Sequence, residues 1–207
     1  MTDGTAKYLE TVKWLGKLYD YVNDTIFNGE LKRPVITVQT DESNKAYGWF
    51  TLKKVWKENE TDDGEYEINM CAQFLNRPTN ETAGTLIHEM CHQYALMHNI
   101  QDCSRSCTYH NKIFKQIAEK HGLKVEKNDK YGWSRTSLTD ETIETLSYFF
   151  EKFPPDLIYH TPVQKGMRLK SSSTRKYVCP CCGMSVRATR SVNIMCADCN
   201  ECMTVEL

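Results

Sequence analysis

The first part of the chain has an apolar pattern of helical period. Apolar side chains recur at intervals of three and four residues over residues 5–27, which places them on one face of an α-helix. They are Tyr8, Leu9, Val12, Leu15, Leu18, Tyr19, Val22 and Ile26. Asn28 and Gly29 follow, and residues of this kind commonly end a helix. The pattern therefore predicts a first helix over residues 5–27.

Three short segments after this helix have the composition of β-strands. Residues 35–40 alternate between two faces, residues 46–56 are rich in aromatic and β-branched side chains, and residues 65–70 alternate again. The pair Asp63 and Gly64 is a turn signal between the last two segments. The pattern predicts a small three-stranded sheet.

Two further helices are predicted after the sheet. The first begins after a cap at Thr79 or Asn80 and continues through His98, because this stretch contains no helix breaker. A polar stretch follows from residue 99 to residue 108. The next helix covers roughly His110–His121 and ends at a glycine.

The rest of the chain has weaker signals and a change of composition. We interpret residues 123–136 as a loop or short strand, and Asp140–Phe153 as a short helix that two prolines stop. Residues 161–176 contain three consecutive serines and five basic residues, which is typical of a linker. Residues 177–207 are Cys-rich. The sequence thus predicts a domain over residues 1–160, a linker and a small C-terminal domain.

Composition and charge narrow the class of protein. Apolar residues make up 40% and charged residues 26% of the 207 residues, and the net charge of -1 gives no overall basic field for nucleic acid. Neither a secretory signal nor a run of 18 apolar residues is present, so we expect a cytoplasmic protein without a membrane partner. Ten cysteines in a reducing compartment favour metal binding over disulfides.

His88, Glu89 and His92 form the pattern His-Glu-x-x-His within the second predicted helix. Two residues four apart on a helix are separated by about 40° around its axis, so both imidazoles share one face and can hold one tetrahedral zinc ion. Glu89 lies next to the first histidine and can take a proton from zinc-bound water. The pattern predicts a catalytic zinc site with Glu89 as general base. A chance match on an ordinary amphipathic helix is the alternative.

The third protein ligand of this site has two candidates, His98 and His110. His98 has the spacing that metzincins use, but Ala95 occupies the position of their helix-turning glycine. On an unbroken helix, six residues correspond to a rotation of about 240° around the axis, so His98 points away from the face that His88 and His92 share. His110 follows a loop long enough to fold back. The rotation argument favours His110.

Four cysteines of the C-terminal segment have the spacing of a zinc ribbon. Two C-x-x-C pairs, Cys179/Cys182 and Cys196/Cys199, are separated by thirteen residues, and four such thiolates close one structural tetrahedral site. A segment this short does not hold a core without metal. Cys199 and Cys202 form a competing register. A redox pair would need a thioredoxin-like βαβ context, which the sequence does not predict.

Basic residues are concentrated in and beside this segment. Such a cluster can contact phosphates, and DNA is therefore a candidate partner. A solvated charged face is the equally supported alternative, because the overall charge is balanced and no aromatic residues are interleaved. The basic residues are Lys165, Arg168, Lys170, Arg175, Lys176, Arg187 and Arg190.

Several segments resemble the SprT-like (SprT/Spartan-like) zinc metallopeptidase family. The resemblance covers roughly residues 8–125 and includes FNGELKRPVITVQ, AYGWF, LIHEMCHQY and TYHNKIFKQIAEKHGL. Its specific part is the His-Glu-x-x-His motif with a downstream histidine, since His110 to Phe114 stand where the family has His-Gly-x-x-Phe or Trp. The resemblance carries the third zinc ligand onto His110. Asn111 departs from the family's common glycine.

The resemblance also implies a fold and an activity. The fold is an α+β, zincin-type domain of one helix, a three-stranded sheet, the His-Glu-x-x-His helix and a following helix, and many members add a C-terminal zinc ribbon. The activity is proteolysis, which in a nuclear member is directed at DNA-bound proteins. Transfer of that substrate to this chain rests on analogy of fold alone.

Other residues near the motif receive weaker interpretations. Cys103 and Cys107 are interpreted as loop cysteines without a metal role, because three histidines already fill a catalytic zinc site that must keep one position open. Tyr109, Tyr131 and Arg135 are candidates for a second donor to the oxyanion, and the sequence does not choose among them.

The sequence therefore predicts a zinc-dependent metallopeptidase with one catalytic and one structural zinc ion. Its substrate is a protein, with DNA-associated proteins as candidates. The alternative is a non-catalytic module that binds nucleic acid or protein through the zinc ribbon. Glu89 favours the enzyme, because a purely structural zinc site has no need of that carboxylate. The cleavage preference and the oligomeric state stay open.

Overall fold

In a computed structural model of the chain, the described residues are 3–43, 45–105, 107–161 and 174–206. The chain divides into two compact units, Met1–Pro162 and Val163–Leu207. The described residues form four α-helices and several small sheets, so the predicted α+β class is confirmed. All four helices belong to the first unit, and none of them is long and apolar enough to cross a membrane.

Helix α1 spans Gly4–Ile26, close to its predicted range. Asp3 caps its start, since its carboxylate accepts a hydrogen bond from the backbone N–H of Thr5. Asn28 and Gly29 follow the helix in the left-handed conformation, with φ angles of 54° and 71°. Its buried stripe contacts the first sheet and two other helices, and includes Leu15, Leu18, Tyr19 and Val22.

The predicted three-stranded sheet is present. Strands β1 (Val35–Gln39), β2 (Gly48–Phe50) and β3 (Glu67–Cys71) lie in the order β1-β3-β2. β1 runs parallel to β3, β2 runs antiparallel to it, and β3 is buried at every residue. β2 is shorter than the predicted segment 46–56, because the chain leaves the ladder after Phe50.

Helix α2 spans Thr79–Met97 and carries the His-Glu-x-x-His motif at its centre. It packs against both β2 and β3 on one side and against the second sheet and α3 on the other. Leu86, Ile87 and Met90 are fully buried, so the helix has little freedom to shift or turn. The motif therefore lies on one of the most enclosed elements of the unit.

A second sheet lies beyond α2. Its strands are β4 (Cys103–Ser104), β5 (Tyr109–His110), β6 (Leu123–Asn128) and β7 (Gly132–Leu138), in the order β4-β5-β7-β6. The prediction of a loop or short strand over residues 123–136 was wrong, since this region is an antiparallel hairpin of two long strands.

The two remaining helices of the first unit are α3 (Lys112–Lys120) and α4 (Asp140–Lys152). The predicted start of α3 at His110 was wrong, because His110 belongs to β5. The helix begins after Asn111, whose side chain accepts hydrogen bonds from two backbone N–H groups of the first turn. The indole of Trp14 donates to the carbonyl of Phe153 at 2.9 Å, which ties α1 to the end of α4.

The described part of the second unit consists of short strands. β8 (Arg175–Val178) lies between β12 (Thr204–Glu206) and β9 (Ser185–Ala188), while β10 (Met195–Cys196) pairs with β11 (Glu201–Cys202). Its small core consists of Tyr177, Cys179, Cys196 and Met203.

The predicted linker over residues 161–176 falls mostly outside the described residues. Lys165, Arg168 and Lys170 lie in that part of the chain. Arg175 and Lys176 are described, and they belong to β8 instead of the linker.

Candidate metal centre

His88 and His92 lie on the same face of α2. Their Nε2 atoms are 3.3 Å apart, and both side chains are half-buried. The phenyl ring of Phe114 in α3 packs against both imidazoles, with ring centroids 4.7 Å from those of His88 and His92. Helix geometry and this aromatic contact together hold the two rings in place.

His110 joins this pair from β5. Its Nε2 lies 3.1 Å from the Nε2 atoms of both His88 and His92. Its backbone N–H donates to the carbonyl of Tyr131 at 3.0 Å, and its register partner in β7 is Gly132. The histidine is therefore placed by pairing between strands, and its side chain projects from the sheet towards α2.

Each of the three imidazoles has an oxygen within reach of its other nitrogen. The Nδ1 of His92 lies 2.5 Å from Oδ2 of Asp102, that of His110 lies 3.3 Å from the Tyr131 carbonyl, and that of His88 lies 3.1 Å from the Thr136 hydroxyl. A carboxylate and a carbonyl only accept hydrogen bonds, so His92 and His110 carry their protons on Nδ1. The Thr136 hydroxyl can accept from His88 in the same way.

With His88 in the same tautomer, three Nε2 lone pairs converge on one point. Burial and the neighbouring histidines lower the pKa of His88 well below its usual value and that of His110 to about 4, so neither ring gains a second proton near neutral pH. Converging lone pairs repel one another unless a cation lies among them. A tetrahedral zinc ion holds its nitrogen ligands about 3.3 Å apart, and the observed spacings of 3.1–3.3 Å fit that geometry. The three histidines can therefore hold a metal ion.

Glu89 lies beside this cluster, between α2 and the outer edge of β2. Its side chain is 7% exposed, and a Cβ on Gly48 in β2 would lie 3.5 Å from its Cγ. Burial raises the pKa of the carboxyl to about 7. A carboxyl group held in this way can exchange a proton with a group at the metal centre.

The profile of the SprT-like family matches residues 15–132, more than half of the chain. The chain belongs to the SprT-like family. The matched range contains α2, β5 and all three histidines of the cluster, which confirms the family expected from the sequence. No curated protein and no solved structure matches the chain.

The other candidates from the sequence are not among the three clustered histidines of this SprT-like chain. His98 caps the C-terminal end of α2 and is exposed, and its Nε2 lies 3.5 Å from a carboxylate oxygen of Glu30. Arg135 projects from the face of β7 opposite Thr136 and pairs with Glu126. Tyr131 contributes its backbone carbonyl to His110, and the ring of Tyr109 lies under the Arg105 guanidinium.

Sequence reasoning missed the three oxygens that orient the histidines. Asp102 is a single acid in a polar loop, and Thr136 lies in a segment without a clear strand pattern. The Tyr131 contact uses a backbone carbonyl, which any residue offers. None of the three has a local signal, although a search for an acidic residue able to orient a metal-binding histidine would have tested Asp102.

A second possible metal site lies in the C-terminal unit. The sulfur atoms of Cys179, Cys182, Cys196 and Cys199 lie within 4.8 Å of one another. Backbone N–H groups of Cys182 and Cys181 lower the pKa of Cys179 to about 7, as in a turn that wraps around a thiolate. Cys202 lies outside this cluster, on β11. The four clustered cysteines are compatible with the predicted zinc ribbon.

Proposed function

We propose that this SprT-like chain is a zinc-dependent metallopeptidase with a zincin-type catalytic domain, acting on a protein substrate. The observation that carries the proposal is the convergence of three Nε2 atoms next to a buried glutamate. Membership of the SprT-like family supports the same class of activity. Closed structural zinc sites have four protein ligands, whereas this cluster has three and so leaves a position for water or substrate.

Each residue of the centre has a distinct role in this proposal. His88, His92 and His110 hold the zinc ion, which when bound supplies Lewis-acid chemistry and lowers the pKa of coordinated water towards about 7. Glu89 takes a proton from the attacking water and returns it to the leaving amine. Asp102 keeps the His92 ring in the tautomer that presents Nε2.

The edge of β2 offers a place for the substrate backbone. The carbonyl of Tyr47 and the N–H of Thr51 bond towards β3, so the backbone groups of Gly48 and Phe50 point away from the sheet. Glu89 lies beside this edge, since a Cβ on Gly48 would lie 3.5 Å from its Cγ. An extended peptide that adds to β2 places its backbone beside the proposed general base.

We also propose a structural zinc ion in the ribbon and DNA-associated proteins as substrates. The four clustered sulfur atoms support the zinc ion. The association with DNA is supported by the basic side chains of the described ribbon strands and turns, namely Arg175, Lys176, Arg187 and Arg190. A cytoplasmic location is consistent with the ten free cysteines.

The test combines zinc content with cleavage of casein or histones, with and without single-stranded DNA. We expect two zinc ions per chain, one after His110→Ala, and two after the control His98→Ala. Glu89→Gln should keep both ions and lower the cleavage rate by about 10²- to 10⁴-fold, because it removes only the general base. Full activity of Glu89→Gln would refute the mechanism. A chain that binds DNA, holds only the ribbon zinc and cleaves nothing would instead be a binding module.

A further inference from the structure

A tyrosine ring is held in a fixed position at the start of β2, the edge strand of the first sheet. The guanidinium of Arg77 lies over one face of the Tyr47 ring, with its Cζ 4.0 Å from the ring centroid. The Phe74 ring meets the Tyr47 ring edge-on, at a centroid distance of 4.8 Å and an interplanar angle of 82°. Tyr47 is nevertheless 52% exposed. An aromatic ring that is already held by two contacts loses little conformational freedom when a ligand covers its exposed part, which favours binding.

Arg77 is itself fixed by hydrogen bonds. Its Nε donates to the Phe74 carbonyl at 3.0 Å, and its Nη2 donates to the Thr85 hydroxyl at 2.9 Å. Its Nη1 lies 3.6 Å from a carboxylate oxygen of Glu81. Thr85 and Glu81 belong to α2. The Tyr47 ring is therefore in contact with a side chain that is bonded to the helix of the metal-binding histidines.

These contacts place the ring close to the edge of β2 on which the substrate backbone is proposed to pair. Tyr47 precedes Gly48, whose backbone groups point away from the sheet. A Cβ on Gly48 would lie 3.2 Å from Cγ2 of Thr85 and 3.5 Å from Cγ of Glu89. Thr85 bonds to Arg77 and lies against the same residue of the edge as the proposed general base. The ring and Glu89 are therefore neighbours of the same part of the edge.

We propose that Tyr47 is a specificity-determining residue that packs against an aromatic side chain of the substrate peptide. An extended peptide that pairs with β2 lies about 4.8 Å from it, and opposite side chains on neighbouring strands have Cβ atoms about 5 Å apart. One side chain of the peptide is thus within reach of the exposed part of the ring. Tyr47 is one residue from Gly48, so the selected side chain lies within about two residues of the cleaved bond. The inference rests on the proposed function, because it names a side chain that the peptidase selects.

The chemistry of this ring favours an aromatic partner over a basic one. Arg77 already covers one face of the ring, so a lysine or arginine of the substrate would bring a second positive charge close to the first. An aromatic side chain forms a stacked or edge-on pair without adding charge. Such a pair raises affinity by about 2- to 10-fold, whereas an alanine at the same position leaves the Tyr47 ring exposed.

The test uses the zinc-loaded full chain and short matched peptides that differ at a single position. That position carries phenylalanine, lysine, glutamate or alanine, and it is moved along the peptide from one set to the next. The value of kcat/KM is measured for each peptide. Tyr47→Ala removes the ring, and Tyr47→Phe keeps it. Tyr148→Ala is the matched control, since Tyr148 is an exposed tyrosine on α4.

We expect phenylalanine at one position to raise kcat/KM by about 2- to 10-fold over alanine, mainly through KM, because the ring contact is present in the bound substrate as well as in the transition state. Tyr47→Phe and Tyr148→Ala should keep this ratio, and Tyr47→Ala should lower it to about one. General damage to the fold would lower cleavage of both peptides alike and leave the ratio unchanged. The proposal is overturned if no position shows the preference, if lysine or glutamate gives the same gain, or if Tyr47→Ala keeps it.

Binding of the same peptides to Glu89→Gln, measured by fluorescence anisotropy, separates this inference from the proposed function. Suppose that the wild type cleaves nothing, while Glu89→Gln binds the phenylalanine peptide more tightly than the alanine peptide and loses this preference when Tyr47→Ala is added. The peptidase would then be refuted, and Tyr47 would stand as a peptide-binding residue. Cleavage without any preference would leave the peptidase standing and overturn the inference.

Discussion

Gly132→Ala is the change that most directly tests how the third histidine is placed. Gly132 has a φ of 71° and is the register partner of His110 in the sheet. A Cβ at this position would lie 2.1 Å from the carbonyl oxygen of His110, far inside ordinary contact distance. Gly29 has the same φ of 71°, but a Cβ there would lie 4.0 Å from an oxygen of Asp24, which is ordinary contact distance. Gly29→Ala is therefore a matched control for backbone strain without the clash.

The expected magnitudes follow from this difference. A residue with a Cβ in the left-handed conformation costs about 1–2 kcal/mol, which is the whole effect expected for Gly29→Ala. In Gly132→Ala two further effects add to this strain. The clash displaces β5 by about an ångström or more. It also breaks the hydrogen bond from the His110 N–H to the Tyr131 carbonyl, which is worth about 1 kcal/mol. We therefore expect Gly132→Ala to lower the free energy of unfolding by about 2–4 kcal/mol. Its zinc affinity at the histidine cluster should fall by about 10- to 100-fold.

The two quantities need separate measurements, because zinc binding itself stabilises the folded state. Unfolding by denaturant is followed in the metal-free chain through the far-UV circular dichroism of the helices, which among the described residues all belong to the first unit. Zinc affinity is measured by chelator competition on the folded chain. Equal losses of stability and equal zinc affinities for the two variants would show that the close approach of Gly132 does not position His110.

Three further changes test other parts of the structure. Asp102→Ala should weaken zinc binding at the histidine cluster by about 10- to 100-fold, measured by chelator competition, and unchanged affinity would mean that His92 needs no carboxylate. Trp14→Phe should lower the free energy of unfolding by about 1 kcal/mol in denaturant titrations, because the bond to the Phe153 carbonyl is lost, and should leave zinc content alone. Cys182→Ser should remove one zinc ion per chain while the helical signal of the first unit persists; loss of that signal would contradict separate units.

The helices of this protein were predictable because their signals are local. The apolar period over residues 5–27 predicts α1 almost to its ends, and the stretch after Thr79 predicts α2 equally well. The hairpin β6–β7 was missed for a physical reason. Its strands expose charged residues to solvent and bury few apolar ones, with Leu123 and Leu138 paired at the open end of the hairpin. The alternation that reveals a half-buried strand is therefore weak there.

The residues of the site also divide into those with a local sequence signal and those without one. The spacing of His88 and His92 on one helix is a local property, so their shared face could be derived from the sequence. The contribution of His110 depends on its pairing with Gly132, 22 residues further along, and with Cys103 across a turn. Asp102 meets His92 only because that turn folds back. Such contacts depend on tertiary structure, and for His110 a family resemblance supplied what periodicity could not.

The residues of the candidate metal centre come from one helix and one sheet, so a bound metal ion would link these two elements. α2 supplies His88, His92 and Glu89, whereas the second sheet and its adjoining segments supply His110 and the oxygens that orient all three rings. With each imidazole protonated on Nδ1, the three lone pairs lie 3.1–3.3 Å apart and repel one another, and the part of this repulsion that involves His110 acts between α2 and β5. A cation at their centre turns that repulsion into a bond between helix and sheet. A metal ion that binds only the folded state raises its free energy of unfolding by about 4 kcal/mol when the free ion is at 1,000 times its dissociation constant. In the metal-free chain, the pairing of His110 with Gly132 opposes this repulsion and keeps the histidine beside α2.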